Sequence, residues 1–153
     1  MRASNPLVTI RSATPEDLAR LSEFAGEFLA RMHAKSAPGQ AVRVFQHVMN
    51  QPNAGLIVVA AHQTGICAYA YGAYEWRSEF GGESMDVVEL FVEPQWRNKG
   101  VAARLIEALL DSAKQRGIRH VSAQVHPGNA AIERILESAG LDPQQRTVWG
   151  VQL

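Results

Sequence analysis

The sequence predicts a protein of the α/β (α+β) class, with helices and strands alternating along one domain, and three observations predict it. Apolar residues recur at helical spacing in four stretches, each bounded by capping residues or by proline and glycine breaks. Short apolar or β-branched runs lie between them, two of which are joined by a polar turn at hairpin spacing. At 153 residues the chain has the commonest length for one domain and is too short for two, so residues 1–153 are expected to share one core.

Taken in order, the apolar run 7–10 reads as a first strand. Thr14-Pro15-Glu16-Asp17 then supplies a cap hydroxyl, a proline suited to the first helical position and acids favoured by the helix dipole. Leu18, Leu21, Ala25, Phe28, Leu29 and Met32 form the apolar face of the helix that follows. Pro38-Gly39 breaks the chain, and Val42, Phe45, Val48 and Met49 predict a shorter second helix ending near Pro52. Residues 55–62 and 66–76 read as strands joined by Gln63-Thr64-Gly65, residues 78–84 as a loop, and residues 86–92 as a fourth strand closed by Pro94. A helix is predicted over 98–116 from Val101, Leu105, Leu109 and Ala113, with Gly117 at its C-terminal cap. Residues 121–125 make the next strand, Asn129 caps a helix stopped by Gly140, and residues 147–153 read as a closing strand. The predicted order is β-α-α-β-β-β-α-β-α-β.

Fifteen basic residues balance fifteen acidic ones, so no net field favours nucleic acid or an anionic membrane. The single cysteine, Cys67, has no internal disulfide partner and reads as a small buried strand residue in a reducing compartment. Residues 1–11 hold no apolar run of signal-peptide length, and no stretch approaches the ~20 apolar residues of a membrane span. The expected setting is the cytoplasm. His33, His47, His62, His120 and His126 are scattered rather than clustered at ligand spacing, so no metal is expected.

The chemistry is concentrated in Glu89-Leu90-Phe91-Val92-Glu93-Pro94-Gln95-Trp96-Arg97-Asn98-Lys99-Gly100-Val101-Ala102, where a strand enters a helix through a basic turn. The first turn of a helix leaves several N–H groups without internal partners and carries the positive end of the dipole, a layout that suits a pyrophosphate. Glycine at 100 and alanine at 102 allow close approach, so bulk at 100 is expected to be intolerable. Neither the G-x-x-x-x-G-K-[ST] of a nucleotide P-loop nor the G-x-G-x-x-G of a dinucleotide fold is present.

On these residues the chain resembles the GNAT family of N-acetyltransferases. Arg97 to Ala102 is similar to that family's acetyl-CoA signature, Arg/Gln-x-x-Gly-x-Gly/Ala, preceded by Val92-Glu93-Pro94 as its usual Val-x-Pro. Residues 129–141 are similar to its second motif, an asparagine followed by a glycine and an apolar residue before a late strand. The resemblance implies a mixed, mostly antiparallel central sheet flanked by helices, and acetyl-CoA as cosubstrate. It further implies that amides of Arg97, Asn98, Lys99, Gly100, Val101 and Ala102 hold the pyrophosphate. A bulge near Leu90, Phe91 and Val92 would offer amides to the pantetheine arm and the acetyl carbonyl, and Asn129 would contact the pantetheine. Such amides would stabilise the oxyanion of amine attack by about 3 kcal/mol per donor.

One position departs from the family pattern. A tyrosine commonly stands seven residues after the motif asparagine as the acid for the leaving thiolate, and here that residue is Leu136. Tyr69, Tyr71 and Tyr74 all lie on the third strand as packing residues. Either one of them supplies the proton, or water does, or catalysis is weak. Asp86 and Glu89 are the candidate bases for the incoming ammonium. Strict alternation puts Asp86 on the face of Val88 and Leu90, and Glu89 on the other face with Val87 and Phe91. Asp86 is preferred because the resemblance turns Leu90's face toward the acetyl group. Tyr71, Tyr74 and Trp76 are candidates for the acceptor side of the site. The expected function is acetyl transfer from acetyl-CoA to a primary amine of a small molecule or protein. The alternatives are a non-catalytic acyl-CoA-binding module lacking the tyrosine acid, and an interaction domain whose glycine turn binds nothing. Residues 147–153 are also where a homodimer would form.

Overall fold

In a computed structural model of the chain, residues 7–153 are described; the part of the sequence reading that rests on residues 1–6 lies outside them. The elements run β1 (Thr9–Ser12), α1 (Leu18–Arg31), α2 (Gln40–Asn50), β2 (Gly55–His62), β3 (Gly65–Arg77), β4 (Gly82–Val92), α3 (Val101–Arg116), β5 (His120–Ala123) and α4 (Ala130–Ser138). They build one five-stranded sheet in the order β1-β2-β3-β4-β5. The first three pairs are antiparallel and only β4 and β5 run parallel, across the connection that α3 provides. The mixed, mostly antiparallel sheet flanked by helices is therefore what forms.

Each face of the sheet is covered by a different part of the chain. Leu21, Phe24 and Ala25 of α1 and Phe45 and Val48 of α2 pack on Ile57, Val59, Tyr69 and Phe91. On the other face Val101, Leu105, Ile106, Leu109 and Ala113 of α3, with Leu136 of α4, pack on Val58, Ala68, Ala70, Met85, Val87 and Val92. The helix stripes read from the sequence coincide with these buried faces at Leu21, Ala25, Phe45, Val48, Val101, Leu105, Leu109 and Ala113, but Met32 is exposed, and Phe24, Ile106 and Leu136, which the reading did not include, are buried. The entry to α1 is held as its capping residues foretell, with the Thr14 N–H donating to Asp17 Oδ2 at 2.8 Å and Arg11 gripping the same carboxylate at 2.7 and 3.0 Å. Burial pushes the Asp17 carboxyl up, but the Arg11 bonds and the Thr14 N–H outweigh it and lower its pKa overall.

Several boundaries depart from the sequence reading: β1 covers Thr9–Ser12 rather than 7–10, α3 starts at Val101 rather than near 98, and β5 covers His120–Ala123 rather than 121–125. The β2–β3 turn is the two-residue Gln63-Thr64, since His62 already pairs with Gly65. β4 starts at Gly82, because Gly82 to Met85 pair with the end of β3, and the expected loop contracts to a helical turn at Ser78–Phe80 and a left-handed Gly81 (φ 67°). The closing strand does not form. Residues 147–153 have no regular structure, and Val148, Trp149, Val151 and Leu153 are 69% or more exposed. Apolar composition alone does not make a strand without a neighbour to complete its ladder.

Candidate active site

After β4, Pro94–Trp96 makes a short helical turn, and the chain then reverses through an extended Arg97, a left-handed Asn98 (φ 58°) and a left-handed Gly100 (φ 78°) into α3. The Arg104 N–H bonds the Gly100 carbonyl at 3.2 Å, closing the helix's opening turn. The N–H groups of Val101, Ala102 and Ala103 precede that bond and point out of the helix end, where its dipole is positive. A Cβ at Gly100 would meet nothing within 4 Å. Crowding does not disfavour bulk here, so the expected intolerance rests on the positive φ alone, and the space beside Gly100 is open.

The side chains of this turn brace it. Arg97 folds back, donating from Nε to the Val92 carbonyl at 2.8 Å with its guanidinium 5.9 Å from the Phe91 ring centroid. Its Nη2 is buried without a hydrogen-bond partner, and burial lowers the pKa of the guanidinium, with Arg31 adding to the effect. The Lys99 ammonium donates to the Gln95 carbonyl at 2.8 Å and lies over the Trp96 ring. Outward-facing amides, an orphaned cationic N–H and an open cradle at Gly100 fit a pyrophosphate.

The parallel pair at the sheet edge parts just beside this turn. β5 accompanies β4 only from Ser84↔His120 to Val87↔Ala123, whereas β4 continues to Val92. The Glu93 backbone N–H donates to the Cys67 carbonyl at 2.9 Å, and Phe91 and Glu89 face Tyr69 and Tyr71 in register. By the alternation of an antiparallel ladder, the N–H groups of Leu90 and Val92 turn away from β3 toward the opening.

The bulge is not where the resemblance put it. Register passes from Tyr71↔Glu89 to Gly72↔Val87, which makes Val88 the extra residue and places the bulge before Leu90 to Val92 rather than within them. One inserted residue reverses which face each preceding side chain takes. Met85 and Val87 therefore join Leu90 and Val92 on the α3 face. Asp86 and Glu89 consequently share the α1/α2 face with Phe91, so the alternation argument that favoured Asp86 fails.

Glu89 is half-buried and accepts a hydrogen bond from the Tyr69 hydroxyl at 2.9 Å. Burial raises its pKa, and the Tyr69 bond only partly opposes that. Asp86 sits lower on β4 opposite Ser122, whose hydroxyl donates to Oδ1 at 3.2 Å. Burial raises its pKa as well. Tyr71 faces Glu89 across the strands and packs edge-on against Phe45. Tyr74 takes the opposite face under the Arg116 guanidinium, 4.2 Å from its ring centroid. Trp76 is 80% exposed and lines a groove of about 550 Å³ with Glu83 and Arg116, at the end of β4 remote from the turn. The structure thus gathers Tyr71 with Glu89 and sends Tyr74 and Trp76 elsewhere.

Asn129 caps α4 by accepting the Ile132 N–H at 3.4 Å, and Leu136 is 8% exposed in the α3-side core. Sequence reasoning took Tyr69 as a packing residue or proton source rather than as a partner of Glu89, and did not single out Ser122, because only the strand register shows which carboxylate each reaches.

A mixed sheet that parts at its parallel pair, with a helix N-terminus beside the opening, defines an acetyltransferase fold of the GNAT type. The sequence model of the acetyltransferase (GNAT) family matches residues 21–141, and the chain belongs to that family. It is similar to a mycothiol acetyltransferase of Paenarthrobacter aurescens (strain TC1), 36% identical over 72 residues that make up 47% of this chain and 21% of that protein. Among solved structures, an integron cassette protein from the Cole Harbour Salt Marsh metagenome superposes with a TM-score of 0.82 at 23% identity, over 94% of this chain and 90% of that one. AAC(6')-Iy, in complex with the bisubstrate analogue CoA-S-monomethyl-acetylneamine, gives 0.81 at 14% identity over 95% and 98%. Identities this low speak for the fold alone. Among the described residues, no helix is long and apolar enough to cross a membrane.

Proposed function

We propose that the chain is an acetyl-CoA-dependent N-acetyltransferase acting on a primary amine, with Glu89 as the base. The observation that carries this reading is the opening between β4 and β5 beside the α3 N-terminus, with the half-buried Glu89 carboxylate on the strand that borders it. Acetyl-CoA would supply the activated acyl group, as a thioester whose thiolate leaves readily. Amides of residues 101–103 and the Arg97 guanidinium would hold the pyrophosphate, and Asn129 would meet the pantetheine arm. The Leu90 and Val92 N–H groups are donors for the negative charge that develops on the acetyl oxygen. Glu89 would take the proton from the incoming ammonium, a role suited to a carboxylate whose pKa burial raises above its ordinary value.

The bisubstrate analogue in a protein of the same fold supports a small-molecule amine as the acceptor. Water would protonate the leaving thiolate, since Leu136 has no hydroxyl and the Tyr69 phenol is committed to Glu89. Calorimetric titration with acetyl-CoA tests the reading: saturable binding supports it, and no heat at any concentration leaves only an inert fold. Homodimerisation belongs to the proposal as well, supported by the exposed apolar alternation of Trp149, Val151 and Leu153 beyond a sheet edge that ends at β5.

A further inference from the structure

Tyr69 carries a hydroxyl through the aromatic part of the α1/α2-side core. The residue is fully buried, its ring parallel to Phe24 at 6.4 Å between centroids, edge-on to Phe45 at 5.6 Å and tilted against Phe91 at 6.4 Å. Phenylalanine would fill that aromatic nest without bringing a polar atom into it. The hydroxyl reaches a single partner, Glu89 Oε2, at 2.9 Å. Among the described residues Oε1 of the same carboxylate accepts no hydrogen bond. Glu89 therefore has one oxygen tied to a rigid ring and the other unengaged, one residue beyond the bulge and at the level where β5 has ended.

We propose that Tyr69 is the positioning residue of the acyl-transfer site: its buried hydroxyl clamps one oxygen of Glu89 and thereby presents the other to the incoming amine, an inference that rests on Glu89 being the base. A glutamate has three rotatable side-chain bonds, and untethered its carboxylate would spread over many rotamers. The clamp confines it to the geometry that proton transfer needs. Burial and the adjacent carboxylate raise the pKa of the phenol, so it stays protonated and acts only as a donor.

The bond also favours the ionised form of Glu89 against the burial that disfavours it. Removing it raises the Glu89 pKa, and the acid limb of kcat/KM then moves to higher pH. The other polar and charged groups toward this face are Tyr71 on β3, Arg20 over Phe24 and paired with Glu93, Arg31 over Phe91 and Glu27 beside Arg97 from α1, Arg97 itself after β4, and Asp86 on β4. α2 contributes the apolar Phe45. None of these is altered by Tyr69→Phe.

The test is a cycle of Tyr69→Phe, Glu89→Gln and the double variant. Acetyl-transfer kinetics are followed across pH, and the Glu89 carboxyl is titrated by carbon NMR. Tyr69→Phe should lower kcat by about 10-fold with acetyl-CoA affinity unchanged, and should raise the Glu89 titration midpoint by roughly half a pH unit or more. In the Glu89→Gln background the same change should have no further effect on kcat, which a merely structural role would not produce. An unchanged midpoint, or an equal loss of kcat in both backgrounds, overturns the positioning role while leaving Glu89 as the base. Normal turnover by Glu89→Gln overturns the base reading itself and the proposal with it.

Discussion

At Glu89, burial raises the carboxyl pKa, and on the proposal that this residue is the base it also sets the pH at which the site would work. The base must be ionised, so activity should appear as pH rises through the Glu89 pKa. Desolvation holds that pKa above the ordinary carboxylate range, with the Tyr69 bond a smaller opposing influence. Asp86 also has a raised pKa, chiefly from burial, but it lies where β4 and β5 are still paired and its Oδ1 is engaged by Ser122. Glu89→Gln should therefore lower kcat by about 10²-fold or more with little change in acetyl-CoA affinity, whereas Asp86→Asn should cost less than about 5-fold. Steady-state kinetics decide it, and the reverse ranking would return the role to Asp86. Both carboxylates were legible in the sequence as candidates, as were the basic turn and Gly100. Choosing between the carboxylates was not legible, since Val-Val-Glu-Leu-Phe-Val reads as regular alternation and the extra residue at Val88 appears only in the register with β3.

At the level of elements, the turn into α3 makes backbone geometry matter more than charge. Gly100 holds φ 78° with open space where a Cβ would project. Gly100→Val forces a β-branched residue into the left-handed region and puts methyl groups where an anion would sit, so acetyl-CoA binding should be lost. The fold should survive, because nothing in the protein is displaced. Lys99→Ala should weaken binding by only a few-fold, its ammonium being already turned to the Gln95 carbonyl. Titration calorimetry with circular dichroism as the control checks both, and normal binding by Gly100→Val would remove the turn from the site. Helices were the most legible elements, because Leu18, Leu21 and Ala25, or Val101, Leu105 and Leu109, declare a buried stripe through local periodicity. Strand ends were less so. β4 extends to Gly82 through pairing with residues far away in sequence, and residues 147–153 fail to form a strand for want of such a neighbour.

Across the whole molecule, two helical layers fix the sheet from both sides and leave the β5 edge and the following tail uncovered. Four apolar residues within 148–153 are exposed to solvent, a concentration that isolated surface residues do not show. If a second copy covers them, sedimentation velocity should record a dimer for the full chain and a monomer for Trp149→Ser, and a monomeric parent would exclude this association. Transfer of an acetyl group from acetyl-CoA to an amine, as proposed for this chain, does not depend on that outcome. It is tested most directly by the rate at which free CoA thiol appears when the protein is given acetyl-CoA and a panel of primary amines that includes aminoglycosides. Thiol release should depend on the amine, grow with pH above the Glu89 titration and be lost in Glu89→Gln. Tight acetyl-CoA binding with no amine-dependent thiol release at any pH would contradict it and leave a non-catalytic acyl-CoA binder.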